Sequence, residues 1–111
     1  MEILTQKIPR SSLKNRQFIM GDEMVKGVVD LKQNLLAIDA ELHSDLEKLL
    51  LENGSAQSDL WGINLYFDGE LVEFDSMINI RPAENNRSRF VENPEIREKI
   101  LALVEKWIDN D

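Results

Sequence analysis

The stretch DLWGINLYFDGELVEFDSMINI, residues 59–80, constrains the chain most. Large apolar residues alternate with polar ones on both sides of Asp68-Gly69. That dipeptide is favoured in two-residue hairpin turns, because both positions tolerate positive φ. A turn there pairs Leu65 with Val72, Ile63 with Phe74 and Trp61 with Ser76, so the bulky residues share one face. The opposite face then carries Asn64, Glu73, Asp75 and Asn79, with Tyr66, Leu71 and Met77. Turn and alternation specify the same register independently.

A lone hairpin is marginal in water and needs further layers to bury its apolar face. The clearest candidate is NPEIREKILALVEKWI, residues 93–108. Asn93 is a capping residue, Pro94 suits the first turn, and Glu95 complements the helix dipole. Ile96, Ile100, Leu103, Val104 and Trp107 recur at helical spacing and are expected to face the sheet. A second helix is expected over SDLEKLLLENG, residues 44–54. Ser44 with Glu47 makes a capping-box pattern, Leu46, Leu49 and Leu50 give an apolar face, and Gly54 fits a C-terminal cap. Before it, residues 24–43 (MVKGVVDLKQNLLAIDAELH) read as another hairpin. A turn at Gln33-Asn34 would pair Leu31 with Leu36 and Val29 with Ile38, leaving Asp30 and Asp39 on the opposite face.

The expected architecture is therefore α+β: two β-hairpins forming a mostly antiparallel sheet, with helices packed on one face as a two-layer sandwich. Residues 1–111 form a single domain, with a hairpin–helix–hairpin–helix core over 24–108. Residues 1–23 form an N-terminal extension. Within it EIL, residues 2–4, suits a strand. Pro9, Ser11 and Ser12 suggest a short helix over 13–20, ended by Gly21 and Asp22.

Composition narrows the function classes. The chain has 111 residues and no cysteine, which removes disulfides, thiolate chemistry and cysteine-based zinc sites. With 21 Asp+Glu against 13 Lys+Arg, the formal charge is −8. Such a field repels nucleic acid, so no nucleic-acid partner is expected. No apolar run approaches the ~18 residues of a membrane span, and the first residues lack a secretory leader pattern. The expected setting is the cytoplasm, with no membrane partner. Phosphate-loop, dinucleotide-fold, zinc-protease and serine-hydrolase signatures are absent, and no cofactor or metal is expected. A divalent cation held through Asp30, Asp39 or Asp75 is left undecided.

Against that acidic background, residues 81–92 stand out. Arg81, Arg87 and Arg89 are three of six arginines, and residues 81–89 carry +2 where the rest carry −10. Arginine's planar fork suits carboxylate or phosphate, and Asn85, Asn86 and Ser88 add neutral donors. The competing reading is internal: these arginines neutralise carboxylates such as Glu73 and Asp75. His43, the single histidine, lies between a strand and a helix start, near Glu41 and Asp45. Histidine beside carboxylates suits acid–base chemistry, although such a junction residue also packs structurally.

Three functions follow. The first is a binding module in which Arg81, Arg87 and Arg89, with Asn86 and Ser88, hold a small anion or a partner's carboxylate. His43 and the Asn64/Asp75 face complete that pocket. The second is a hydrolase or transferase on a phosphorylated or carboxylated metabolite, with His43 as acid–base. The third is an acidic protein-interaction module, a homodimer being one form of it.

The segments ELHSD, LWGINLYF, FDSMINIRP and NNRSR resemble a small uncharacterised prokaryotic family classed as a domain of unknown function. The resemblance covers roughly residues 24–108. It implies no activity and no catalytic residue, but its distinctive segments are those singled out above.

Overall fold

The computed structural model describes residues 1–21 and 23–111. Its elements follow in the order β1 (Glu2–Ile3), β2 (Ile8–Pro9), β3 (Met24–Asp30), β4 (Leu35–Ile38), α1 (His43–Glu52), β5 (Leu60–Tyr66), β6 (Val72–Glu73), α2 (Pro94–Trp107) and β7 (Ile108–Asp109). Five strands form an antiparallel sheet in the spatial order β1-β4-β3-β5-β6. β2 and β7 make a separate parallel pair. The α+β class expected from the sequence is the class observed.

The second hairpin keeps its expected register, with Leu65 opposite Val72 and Asn64 opposite Glu73. Its turn differs. Gly69 has φ +72° and Asp68 does not share the positive φ that the two-residue turn requires. Strand pairing also stops after Glu73. The chain then leaves the sheet and makes a 3-10 turn at Met77–Asn79.

The first hairpin is shifted by two residues from expectation: Val29 faces Leu36, and Gly27 faces Ile38. The cause is a wider turn. Asp30 Oδ1 accepts from the amides of Lys32 and Gln33, each at 2.9 Å, and Asn34 takes φ +58°. A shift of two preserves the faces. Asp30 is fully buried, with Oδ2 accepting from the Ser55 hydroxyl at 2.6 Å.

The expected placement of both helices on one face is corrected. α2 covers the face made by Val25, Val29, Leu36, Ile38, Trp61, Ile63 and Leu65. α1 covers the opposite face, with Leu46 and Leu50 against Val28, Ala37 and Leu60. The strand runs VKGVV and LLAI are apolar on both sides of the pleat, so both faces need a cover. Each large side chain so covered contributes ~1.5–3 kcal/mol. α2 begins as expected, with Asn93 Oδ1 accepting from the Glu95 amide at 2.8 Å. α1 does not. Its cap falls two residues earlier, at Leu42, which makes no side-chain capping bond, so the helix begins at His43 and Ser44 lies inside it. Its other end matches expectation, with Gly54 at φ +96° after Asn53.

The first 21 residues are tied into the sheet rather than appended to it. β1 pairs with β4, and Leu4 and Leu13 are buried in the α2-side core. The expected short helix is a 3-10 segment, Arg10–Asn15. Asp22, expected to end it with Gly21, lies outside the described residues. Arg10 is buried and donates to the carbonyls of Tyr66 (2.9 Å) and Gly69 (2.7 Å) and to Asn110 Oδ1 (2.9 Å).

Gly62 marks the tightest approach on the α1 face. A Cβ at this position would lie 2.4 Å from Ser76 Cβ and 3.1 Å from Ile78 Cγ1. Gly62→Ala is expected to cost ~1–3 kcal/mol in urea unfolding, the usual range for overpacking. The same substitution combined with Ser76→Gly should cost less than the sum of the two. Strict additivity would show that the clash does not exist.

Candidate functional site

β5 runs seven residues, yet β6 covers only its last part. The edge of β5 at Gly62 is closed by a side chain instead. Asn79 is fully buried; its Oδ1 accepts from Gly62 N at 2.8 Å and its Nδ2 donates to Gly62 O at 2.9 Å. The carboxamide thus stands in for a peptide group. The Asn79 amide also donates to Arg89 O at 3.0 Å, and Ser76 N donates to the same carbonyl at 3.1 Å.

Residues 81–92 form a folded loop around Asn86. Its Nδ2 donates to the carbonyls of Asn79 (2.7 Å), Phe90 (2.7 Å) and Ser88 (3.1 Å), and its Oδ1 accepts from Glu92 N at 2.9 Å. Buried Asn86 is therefore a brace, not an exposed donor. Ser88 Oγ donates to Glu92 Oε2 at 2.7 Å, as does the Arg87 amide at 2.9 Å. The Ser88 hydroxyl, then the Arg87 and Ser88 amides, hold the exposed Glu92 carboxyl below its ordinary pKa.

The three arginines diverge. Arg81 donates to Gln57 O at 2.7 Å, lies 4.1 Å over the Trp61 ring and has Glu84 at 3.1 Å. Glu84 sits off the N–H axis, so buried Nε and Nη2 have no well-aligned acceptor among the described residues. Burial lowers the pKa of Arg81, and stacking on Trp61 is the compensation. Arg87 is exposed. Arg89 reaches back to Asp75, Nε to Oδ1 at 2.6 Å.

One cleft collects several of the candidate residues. His43, Ser44, Lys26, Ser76 and Arg89 line it, with Leu42, Met77 and Ile78, around a volume of about 170 Å³. The sheet explains the grouping. Lys26, Asn64 and Glu73 lie side by side across β3, β5 and β6, on the α1 face. Asn64 is buried and donates to Glu73 Oε1 at 2.8 Å and to Asp75 O at 3.3 Å. Tyr66 also donates to Glu73 Oε1, at 2.9 Å, and this bond raises the tyrosine's pKa. Starting α1 at His43 turns that ring inward over this row. Its Nε2 lies 2.8 Å from Ile63 O. A carbonyl only accepts, so Nε2 carries the hydrogen.

Burial pulls the His43 pKa down; the Ile63 carbonyl opposes this, Lys26 adds to it, and Asn64 and Asp75 oppose it. Asn64 adjoins the ring closely enough to favour its protonation, yet Asn64 Oδ1 receives no well-aligned hydrogen bond among the described residues. At neutral pH the ring is therefore uncharged, and the cations of the cleft are Lys26 and Arg89.

Of the residues expected at a site, the structure brings together His43, Asn64, Asp75 and Arg89. Arg81 and Arg87 do not line this cleft, and Asn86 and Ser88 are engaged within their own loop. Sequence reasoning missed Lys26, Ser76, Leu42 and Met77. Lys26 had a signal: it interrupts the valines of β3 directly opposite Asn64. Among the described residues, no group of three or more His, Asp or Glu is placed to hold a metal ion. Among the described residues, no helix is long and apolar enough to cross a membrane.

The chain matches a family described as "Protein of unknown function (DUF5674)" over residues 2–107, and it belongs to that family. No curated protein matches it. No solved structure matches it.

Two outcomes are expected at these residues. Asn86→Ala strands several buried carbonyls and the Glu92 amide, and should lower stability by about 2–4 kcal/mol in urea melts. The His43 ring should titrate below the ordinary ~6.5 by proton NMR. The unfolded chain then binds that proton more tightly, so stability is full above about pH 6.5 and falls as pH drops toward the depressed folded value. His43→Gln should flatten that part of the stability–pH curve. A midpoint at or above 6.5 would contradict the burial argument.

Proposed function

We propose that this chain is a binding module for a small anion, or for a carboxylate presented by a partner, in the cleft beside His43. The observation that carries the reading is the convergence of Lys26 and Arg89 on the uncapped start of α1. First-turn amides of a helix attract negative charge, and here Leu42 supplies no side-chain acceptor to them. The Arg89 fork keeps its terminal nitrogens for a planar ligand while Nε is held by Asp75. Leu42 and Met77 flank the cations and are strongly exposed, at 57% and 64%. A carboxylate next to an apolar group fits this rim better than a bare inorganic ion.

Binding is favoured over acid–base catalysis by His43. Its Nε2 hydrogen is spent on a backbone carbonyl, and its lowered pKa makes it a weak proton acceptor. A chain without cysteine suits a reducing cytoplasm, and its negative field disfavours nucleic acid as the ligand.

Thermal melts with inorganic phosphate, succinate and a short peptide bearing a free C-terminal carboxylate beside leucine test the proposal. A ligand at ~100 times its Kd adds ~2.7 kcal/mol. The peptide should raise the Tm most, and Lys26→Ala with Arg89→Ala should abolish the rise. No rise with any of the three, or a rise that survives both substitutions, would refute the reading.

A further inference from the structure

A second surface lies on the other face of the sheet, at the free edge of β6. Tyr66 N donates to Leu71 O at 2.9 Å, so residues 66·71 and 64·73 are the pairs that exchange hydrogen bonds with β5. The backbone groups of Val72 therefore point away from β5, and the sheet order places no described strand beyond them. The Val72 side chain points to the α2 face, where it meets the core built around Leu65. Between β6 and α2 lies a groove of about 290 Å³, floored by Leu71, Val72, Phe74, Leu101, Val104 and Ile108. This is just below the ~300–1,000 Å³ of small-molecule pockets and suits one or two side chains. Leu101, on its α2 wall, is 43% exposed.

The charged side chains lining the groove are Glu70 and Glu105. The adjoining depression along β6 adds Asp68 and Glu73. Among the described residues, no lysine or arginine lines either one. An unpaired edge strand, an apolar floor and a one-sign rim occur together.

We infer that this edge receives an extended segment of a partner protein, which adds a strand to β6. The segment buries an apolar side chain in the Leu101/Val104 groove and carries lysine or arginine beside it for Glu70 and Glu105. Strand geometry dictates the pattern. A residue paired with Val72 shares its face and so points into the groove. Main-chain bonds to Val72 supply register, and the pocket and the carboxylates supply selectivity. A second copy of this chain is the less fitting occupant, since its own charge is −8 and its edge carries the same carboxylates.

The test is selection of a displayed library of random linear peptides against the wild-type chain, then fluorescence polarisation on the enriched sequence. The expected consensus is an apolar residue within two positions of lysine or arginine. Its binding should weaken by ~10-fold or more for Leu101→Lys and for Glu105→Lys, as for loss of an interface anchor or a complementary charge. N-methylation of the peptide at the apolar residue should also abolish it, because the hydrogen bond to Val72 is lost. Leu101→Lys and Glu105→Lys change exposed positions, and circular dichroism verifies that both variants fold. Four results would overturn the inference: no enriched peptide, an acidic consensus, binding indifferent to both substitutions, or a dimer in sedimentation that Leu101→Lys dissolves. The last would assign the groove to a second copy.

Discussion

The early departure of β6 from the sheet is the constraint from which the functional half of the molecule follows. β5 would otherwise present Gly62 with an unpaired donor and acceptor on a covered face, each costing roughly a hydrogen bond. Asn79 closes both with one carboxamide. The backbone carbonyl of Asn79 then accepts from Asn86, and Asn86 fixes Phe90 and Glu92 just ahead of α2. The same Asn79 amide holds the Arg89 carbonyl, which sets the arginine opposite Asp75. A run of loop residues too long for an ordinary connection is in fact a wedge built on two asparagines. Gly62 belongs to this device as well, since only a residue without a side chain lets Ser76 sit so close.

Much of this framework was legible in the sequence. The register of the second hairpin and the Asn93 start of α2 follow from short-range chemistry, which the chain states locally. Three other features were not legible, for identifiable reasons. The layer count failed because β3 and β4 are apolar on both faces, and alternation cannot say which face a helix covers. The cap of α1 failed because Ser44 and Glu47 present a good local pattern that tertiary packing overrides. The helix gains more by starting at His43, which puts the ring over Ile63 and Asn64. Asp30 was expected only to lie on the face opposite Val29, yet its carboxylate organises a turn and accepts from Ser55, twenty-five positions away. Such partners have no local signature.

The asparagines teach the same lesson for the candidate site. Asn79 and Asn86 sit among arginines in a polar segment, and composition alone makes them look like ligand donors. The geometry of Asn79 makes it a substitute for a missing strand neighbour, and that of Asn86 makes it a brace within its loop. Asn64 differs from both: its amide hydrogens are spent on Glu73 and Asp75 O, but its oxygen is left without a well-aligned donor beside an uncharged histidine. Polarity that is fully satisfied builds the scaffold, and polarity left over is what a ligand or a proton can use.

Counting arginines in a loop therefore overstates the charge that is available. Arg81 is half-buried on Trp61, donates to Gln57 and faces Glu84, so extracting it would expose an indole and leave a carbonyl unpaired. Arg89 also has a carboxylate partner, at a shorter distance, but both groups are open to water. Exposed pairs of this kind are worth only ~0–1 kcal/mol. An incoming carboxylate that gains a helix start and Lys26 as well can share or replace Asp75 at little cost. The longer contact is the fixed one and the shorter contact is exchangeable, because burial, not distance, decides which ion pair can be traded. The same rule separates the two surfaces of this acidic chain. Lys26 and the open Arg89 gather where α1 begins, and Glu70 and Glu105 line the groove beside β6, so the cation-bearing cleft and the carboxylate-bearing groove lie on opposite faces of the sheet.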